Sequence, residues 1–148
     1  MKLRVTRLLL SALLVLVGLP LAPPARATGD EPEVIVVQHI LISFGRKTSK
    51  KVDRNKREAQ LLAEKLLDRA RGDEDFDVLV KEYTDDTYPG LFRLTNEGVP
   101  LQPQSRARRD MVSLFGDVAF GLEVGEVGMA KYRPGTSPYG WHIIKRLE

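Results

Sequence analysis

The sequence predicts an α+β domain in which helices pack around a small sheet. Three observations carry that prediction. Segments with helical spacing of apolar residues are grouped between strand-like runs and do not alternate with them one for one. The first and last of these runs, residues 34–44 and 141–147, are dense in β-branched and aromatic residues. Each also holds one of the chain's two histidines, in Gln38-His39-Ile40-Leu41-Ile42 and Gly140-Trp141-His142-Ile143-Ile144. A buried strand is a costly place for a polar ring, so each histidine either finds hydrogen-bond partners or marks a site.

Residues 1–27 read as a cleavable signal peptide. Lys2, Arg4 and Arg7 precede an apolar stretch, Pro20, Pro23 and Pro24 break it, and Ala25-Arg26-Ala27 fits a small-x-small cleavage site. The apolar run 8–22 has 15 residues, short of the ~20 that a spanning helix needs. Export is therefore expected, to a periplasm or out of the cell, with membrane contact only through this segment if it stays uncleaved. Residues 28–33 form a short polar leader, and 34–148 form the domain.

Within the domain, both alternating sets of the first run, Ile35/Val37/His39/Leu41 and Val34/Val36/Ile40/Ile42, are mainly apolar. A strand covered on both faces belongs at the centre of the sheet. Residues 45–52 are polar and basic and read as a loop. Asp53 is the expected N-cap of a helix bearing Ala59, Leu62, Ala63, Leu66 and Ala70 on one face, closed by Gly72. A second helix starts near Asp75, with Phe76, Leu79, Val80 and Tyr83 on one face, and stops before the turn-forming run Thr84-Asp85-Asp86-Thr87. Leu91-Phe92-Arg93-Leu94 predicts a short strand, and residues 96–109 an exposed loop. From Asp110 the helical period returns with Met111, Leu114, Phe115, Val118 and Leu122, and Gly125 and Gly128 mark the turns after it. The expected order is strand, helix, helix, strand, helix, strand, strand, and the two histidine strands are expected to be neighbours.

Charge and composition narrow the function. Of 23 Lys and Arg, four lie in the first 27 residues and no Asp or Glu does; the remainder holds 19 bases against 20 acids, so the chain's net charge of +3 belongs to its leader. Nucleic-acid binding has no compositional support, because it needs a positive surface. The chain has no cysteine, which removes disulfides, a thiol nucleophile and a zinc-thiolate site. Two distant histidines with no carboxylate at metal-ligand spacing give no reason to expect a metal, and nothing calls for a cofactor. One basic cluster survives: Arg46, Lys47, Lys50, Lys51, Arg54, Lys56 and Arg57. Its plain reading is a solvated loop and helix start.

Four segments in order carry a resemblance. They are Gln38 to Ile42; Phe76-Asp77-Val78-Leu79-Val80-Lys81-Glu82-Tyr83-Thr84-Asp85-Asp86; Phe115-Gly116-Asp117-Val118-Ala119-Phe120-Gly121-Leu122-Glu123-Val124-Gly125-Glu126-Val127; and Ser137-Pro138-Tyr139-Gly140-Trp141-His142-Ile143-Ile144. From Gln38 to Leu147 the chain resembles the parvulin-type peptidyl-prolyl cis-trans isomerases. That resemblance implies a four-stranded antiparallel sheet surrounded by helices, with His39 and His142 side by side on its central strands. It puts Asp86 where the family has Cys or Asp, makes Ser137 the hydroxyl residue paired with the histidines, and assigns Met111 and Phe115 to the proline pocket. Leu91, Arg46 and Lys47 fall among the substrate-binding positions. The substrates implied are proline-containing polypeptides, with acidic or phosphorylated residues before proline as what a basic loop would select.

Rotation about an X-Pro bond crosses a barrier of about 18–20 kcal/mol between isomers that differ by only ~0.5–1 kcal/mol. No bond is made and no cofactor is required. Alternatives stay open: Met111 and Phe115 also fit a helix core face, and strand histidines are ordinarily hydrogen-bonded structural residues. The family's Gly-Gly-Asp-Leu-Gly-x-Phe segment is matched only in fragments by Tyr88-Pro89-Gly90-Leu91-Phe92-Arg93-Leu94. A non-catalytic peptide-binding or chaperone module using the same groove is the competing expectation.

Overall fold

The computed structural model describes residues 31–45, 47–48, 52–72 and 74–148. The signal-peptide assignment, residues 28–30 of the leader, and Arg46, Lys50 and Lys51 of the basic cluster lie outside them. Among the described residues the order is β1 (Val34–Ile42), α1 (Lys56–Arg71), α2 (Phe76–Tyr83), β2 (Leu91–Thr95), β3 (Arg106–Ala107), a 3₁₀ turn (Arg108–Asp110), α3 (Ser113–Phe120), β4 (Val127–Ala130) and β5 (Trp141–Arg146). They build a sheet in the order β3-β2-β1-β5-β4.

β1 is central, as its two apolar faces require. It pairs antiparallel with β2 through Val34 to Gln38 and with β5 through Val37 to Ile42, and β5 pairs antiparallel with β4. Its alternating side chains divide between two cores. On one face Ile40 and Ile42, with Trp141 and Ile143 of β5, pack against Ala59, Ala63 and Leu66 of α1 and Phe76, Leu79 and Val80 of α2. On the other, Ile35, Val37, Leu94 and Ile144 pack against Phe115, Ala119 and Phe120 of α3. His39, Leu41 and His142 belong to this second face by period.

Four expectations need correction. The sheet has a fifth, two-residue strand inside the stretch expected to be loop, and it runs parallel to β2 through Leu94↔Arg106 and Thr95↔Ala107. Thr95 holds it there: its hydroxyl meets Ser105 Oγ at 2.6 Å and accepts from Gln102 N at 3.3 Å. Asn55, not Asp53, caps α1. Its side chain accepts from Glu58 N at 3.0 Å while Glu58 accepts from Asn55 N at 2.8 Å. A cap at Asp53 would put Lys56 at the third helical position, where nothing could accept the return bond. The third helix begins at Ser113, not near Asp110, so Met111 is extended (φ −88°, ψ 161°) and not one helical turn below Phe115. The free amide of Leu114 is satisfied by Thr136 O at 3.1 Å. Gly128 is a strand residue and not a turn; a Cβ there would come within 2.8 Å of Leu122.

Candidate active site

Strand pairing brings the two histidines together. Leu41 lies opposite His142 and His39 opposite Ile144, which places both imidazoles diagonally on one face, with ring centroids 5.6 Å apart. Phe115 of α3 meets both edge-on, at 5.4 Å from each. Phe92 of β2 stacks on His39 at 5.1 Å and 19°. These rings floor a cleft of about 440 Å³ whose walls include Met111, Val112, Tyr139, Lys47 and Asp86.

Asp86 reaches the cleft because of how β1 is completed. Beyond Gln38 the chain after α2, not β2, lies along that edge. His39 N donates to Gly90 O at 3.0 Å and Asp85 N to Leu41 O at 2.8 Å. Leu41 N donates to Thr84 Oγ1 at 3.1 Å and Ser43 N to Asp85 Oδ2 at 2.7 Å. Gly90 sits at φ +66°, and a Cβ there would come within 2.6 Å of His39 O, so only glycine fits this close approach. The Asp86 carboxylate then lies at the mouth of the cleft with Oδ2 3.3 Å from His39 Nε2.

The electrostatics of the three groups differ. The hydrogen bond from His39 holds the Asp86 carboxyl down at about 2, with Thr87 N adding to it against partial burial. Burial pushes His142 down to about 3, and the neighbouring His39 pushes the same way. His142 is therefore neutral at physiological pH, and neither of its ring nitrogens has a hydrogen-bond partner among the described residues. His39 is better served, its Nδ1 lying 3.2 Å from Gly90 O and its Nε2 facing Asp86. Both faces are acceptors, so a ring with one proton satisfies one of them at a time.

Residues 25–148 match the family described as the PPIC-type PPIASE domain. The chain belongs to the parvulin-type peptidyl-prolyl isomerase family. It is 33% identical over 111 residues to the chaperone SurA of Pseudomonas fluorescens, covering 75% of this chain and 22% of that one. The chain thus spans about a fifth of that relative's length. A crystal structure of a PpiC-type peptidyl-prolyl cis-trans isomerase domain superposes with a TM-score of 0.52 at 12% identity, covering 78% of this chain and 89% of that one. The solution structure of TbPIN1 does so at 0.55 and 21%, covering 78% and 98%. At these identities the two structures carry the fold.

Of the parvulin positions expected from sequence, His39, His142, Asp86, Met111, Phe115 and Lys47 come together around the cleft. Three do not. The buried Ser137 hydroxyl donates to Gly140 O at 3.1 Å and reaches neither imidazole. It ties the turn that delivers Trp141 and His142, so the expected His/His/Ser network is not formed. Leu91 points away from the cleft, half-exposed, because successive strand residues face opposite sides; its neighbour Phe92 takes the place inside. Arg46 lies outside the described residues. Sequence reasoning missed Phe92, Tyr139 and Arg106, the last holding its guanidinium 5.0 Å above the Phe92 ring. Alternation along β2 was the available signal for Phe92: Leu94 and Phe92 share a side.

Among the described residues, no group of three or more His, Asp or Glu is placed to hold a metal ion, and no helix is long and apolar enough to cross a membrane.

Proposed function

We propose that this cleft catalyses cis-trans isomerisation of X-Pro bonds in exported or unfolded polypeptides. The observation that carries the reading is a carboxylate, Asp86, standing at the mouth of a cleft floored by Phe92, Phe115 and the two imidazoles and walled by Met111. A planar amide is more charge-separated than a twisted one. A proline ring gripped by Phe92, Met111 and Phe115 takes its amide out of water, which costs the planar ground state more than the twisted transition state. A fixed negative charge near the carbonyl oxygen acts in the same direction, since that oxygen carries more negative charge in the planar form. His39 holds Asp86 in place, and His142, kept neutral, shapes the floor. The reaction needs neither metal nor cofactor, and the leader sequence supports export as the setting.

The test is turnover of a proline tetrapeptide and of a proline-limited refolding substrate. Asp86→Ala is expected to lower kcat/KM about tenfold or more, roughly 1.4 kcal/mol of transition-state stabilisation, with the domain still folded and its melting temperature lowered only modestly, because this side chain is 44% exposed and solvent screens its pairing with His39. Unchanged turnover would remove the catalytic role of Asp86.

The similarity to the chaperone SurA favours a second reading, in which the same cleft holds unfolded chains without turning them over. Suppression of aggregation of a proline-free client, undiminished by Asp86→Ala and lost in Met111→Ala, would favour holding over isomerisation.

A further inference from the structure

Arg54 was part of the basic cluster, yet it does not behave as a solvated charge. Its side chain is 25% exposed and pairs with Asp85, which is 8% exposed. The same guanidinium nitrogen, Nη1, donates to Ser43 O at 3.0 Å and to Asp85 Oδ2. Asp85 Oδ2 also accepts from Ser43 N at 2.7 Å, and Arg54 O accepts from Gly45 N at 3.2 Å, closing the base of the basic loop. Ser43 thus has its amide on Asp85 and its carbonyl on Arg54. Asp85 in turn is joined through its amide to Leu41 O. The residue after it is Asp86.

We propose that Arg54 is a positioning residue that acts through Asp86: by pairing with buried Asp85 it locks the Thr84 to Asp86 turn onto the end of β1 and so fixes the Asp86 carboxylate against His39. The physical grounds are the cost of the alternative. A buried carboxylate that loses its guanidinium partner is driven to be expelled toward water or protonated. Expulsion takes the acceptor away from Ser43 N, and protonation leaves it only a weaker, uncharged one, so either change loosens the turn. Thr84 Oγ1, which bonds both Leu41 N and Asp86 N at 3.1 and 3.2 Å, then remains to hold the turn without its neighbour. The inference rests on Asp86 being the group that lowers the barrier, and it assigns one member of the basic cluster to the active site and not to a substrate.

The experiment reads Asp86 directly. The carboxyl carbon signal of Asp86 is followed by NMR on acidification in the parent protein, in Arg54→Met and in Asp85→Asn, alongside kcat and KM for a proline tetrapeptide. Both variants are expected to raise the Asp86 midpoint by about one unit or more as the His39 contact loosens. They are expected to lower kcat about tenfold while KM moves less than about twofold. In an Asp86→Ala background, Arg54→Met is expected to cost no further turnover, since residues that act as one unit are not additive. An unmoved Asp86 midpoint in the folded variants, or an Arg54→Met loss as large without Asp86 as with it, would overturn the proposal. If Arg54→Met does not fold, Asp85→Asn, which keeps the acceptor for Ser43 N and removes the ion pair, decides the same point. Full turnover in Asp86→Ala alone would fail the isomerase role of Asp86, while the NMR midpoint still reports whether Arg54 positions it.

Discussion

The two faces of one sheet have been put to different uses. On the face covered by α1 and α2, Ile40, Ile42 and Ile143 meet helices whose contact residues include Ala59, Ala63 and Leu66, all without exposure to solvent. Small alanines let α1 come close, and the face is closed. On the other, α3 is eight residues long and covers the half built on Ile35, Val37 and Leu94. Beside its Phe115 ring, which meets both imidazoles edge-on, a cleft remains with His39, His142 and Leu41 at its bottom. Stability is concentrated on the closed face and chemistry on the open one.

The largest test of that division is Leu66→Ala on the closed face. It is expected to lower unfolding free energy by about 2–5 kcal/mol, as large-to-small core changes do, while kcat/KM of the folded fraction stays at the parent value. Denaturant titration and tetrapeptide turnover check the two halves of the claim. A matching fall in turnover would mean that the faces are coupled.

Next comes the pH dependence of the open face. His142 binds a proton near its ordinary value when unfolded, but only at about 3 when folded, because burial opposes the charge. Its folded value is depressed, so the unfolded state holds more protons between these limits, and stability falls as pH drops from about 6.5 toward about 3. The slope from this one group is up to about 1.4 kcal/mol per pH unit. Replacement by Leu should remove that slope and leave the rest of the acid profile, which belongs to the carboxylates. Equal slopes in parent and His142→Leu between about pH 6 and pH 4.5 would show that the imidazole is not held neutral.

A smaller effect is expected from Met111→Ala. Met111 is half-buried at the cleft wall and lies outside α3, so truncation removes proline contact without opening the main core. An approximately tenfold loss in kcat/KM, about 1.4 kcal/mol, with a stability change below about 2 kcal/mol, would fit. The reverse ratio would return Met111 to the core.

How much of this was legible depends on the range of the interaction involved. The central place of β1 and the meeting of the two histidines follow from side-chain alternation and strand pairing, which sequence periodicity reports directly. Membership of His39, Asp86, Met111 and Phe115 in one cleft followed from residue types matched to the parvulin pattern. What sequence did not report was which of two neighbours faces inward when a register is unknown, hence Leu91 in place of Phe92. It also did not report the partner of a small hydroxyl: Ser137 bonds Gly140 O three residues away, a local turn contact that outcompetes a distant imidazole. Arg54 and Lys47 look alike in a run of cations, and only the fold separates a buried ion pair from a cleft-lining ammonium.

Lys47 gives the finest probe of the open face. Its ammonium lies 5.8 Å from the centre of the Phe44 ring, and its side chain lines the cleft, as does Arg106, whose guanidinium lies above Phe92. An exposed cation at this distance can favour an acidic residue beside the proline, but only by the small amount that solvent-screened pairs contribute, about 0.2–1 kcal/mol. Lys47→Ala is therefore expected to lower the ratio of kcat/KM for Glu-Pro over Ala-Pro peptides by about threefold, roughly 0.65 kcal/mol. The preference should shrink further as salt is raised toward the regime where the Debye length falls below about 8 Å. A ratio that does not move on substitution, or a preference indifferent to salt, would make the described part of the basic loop a solvated rim. Substrate selection would then rest with the cleft's rings and Asp86 alone.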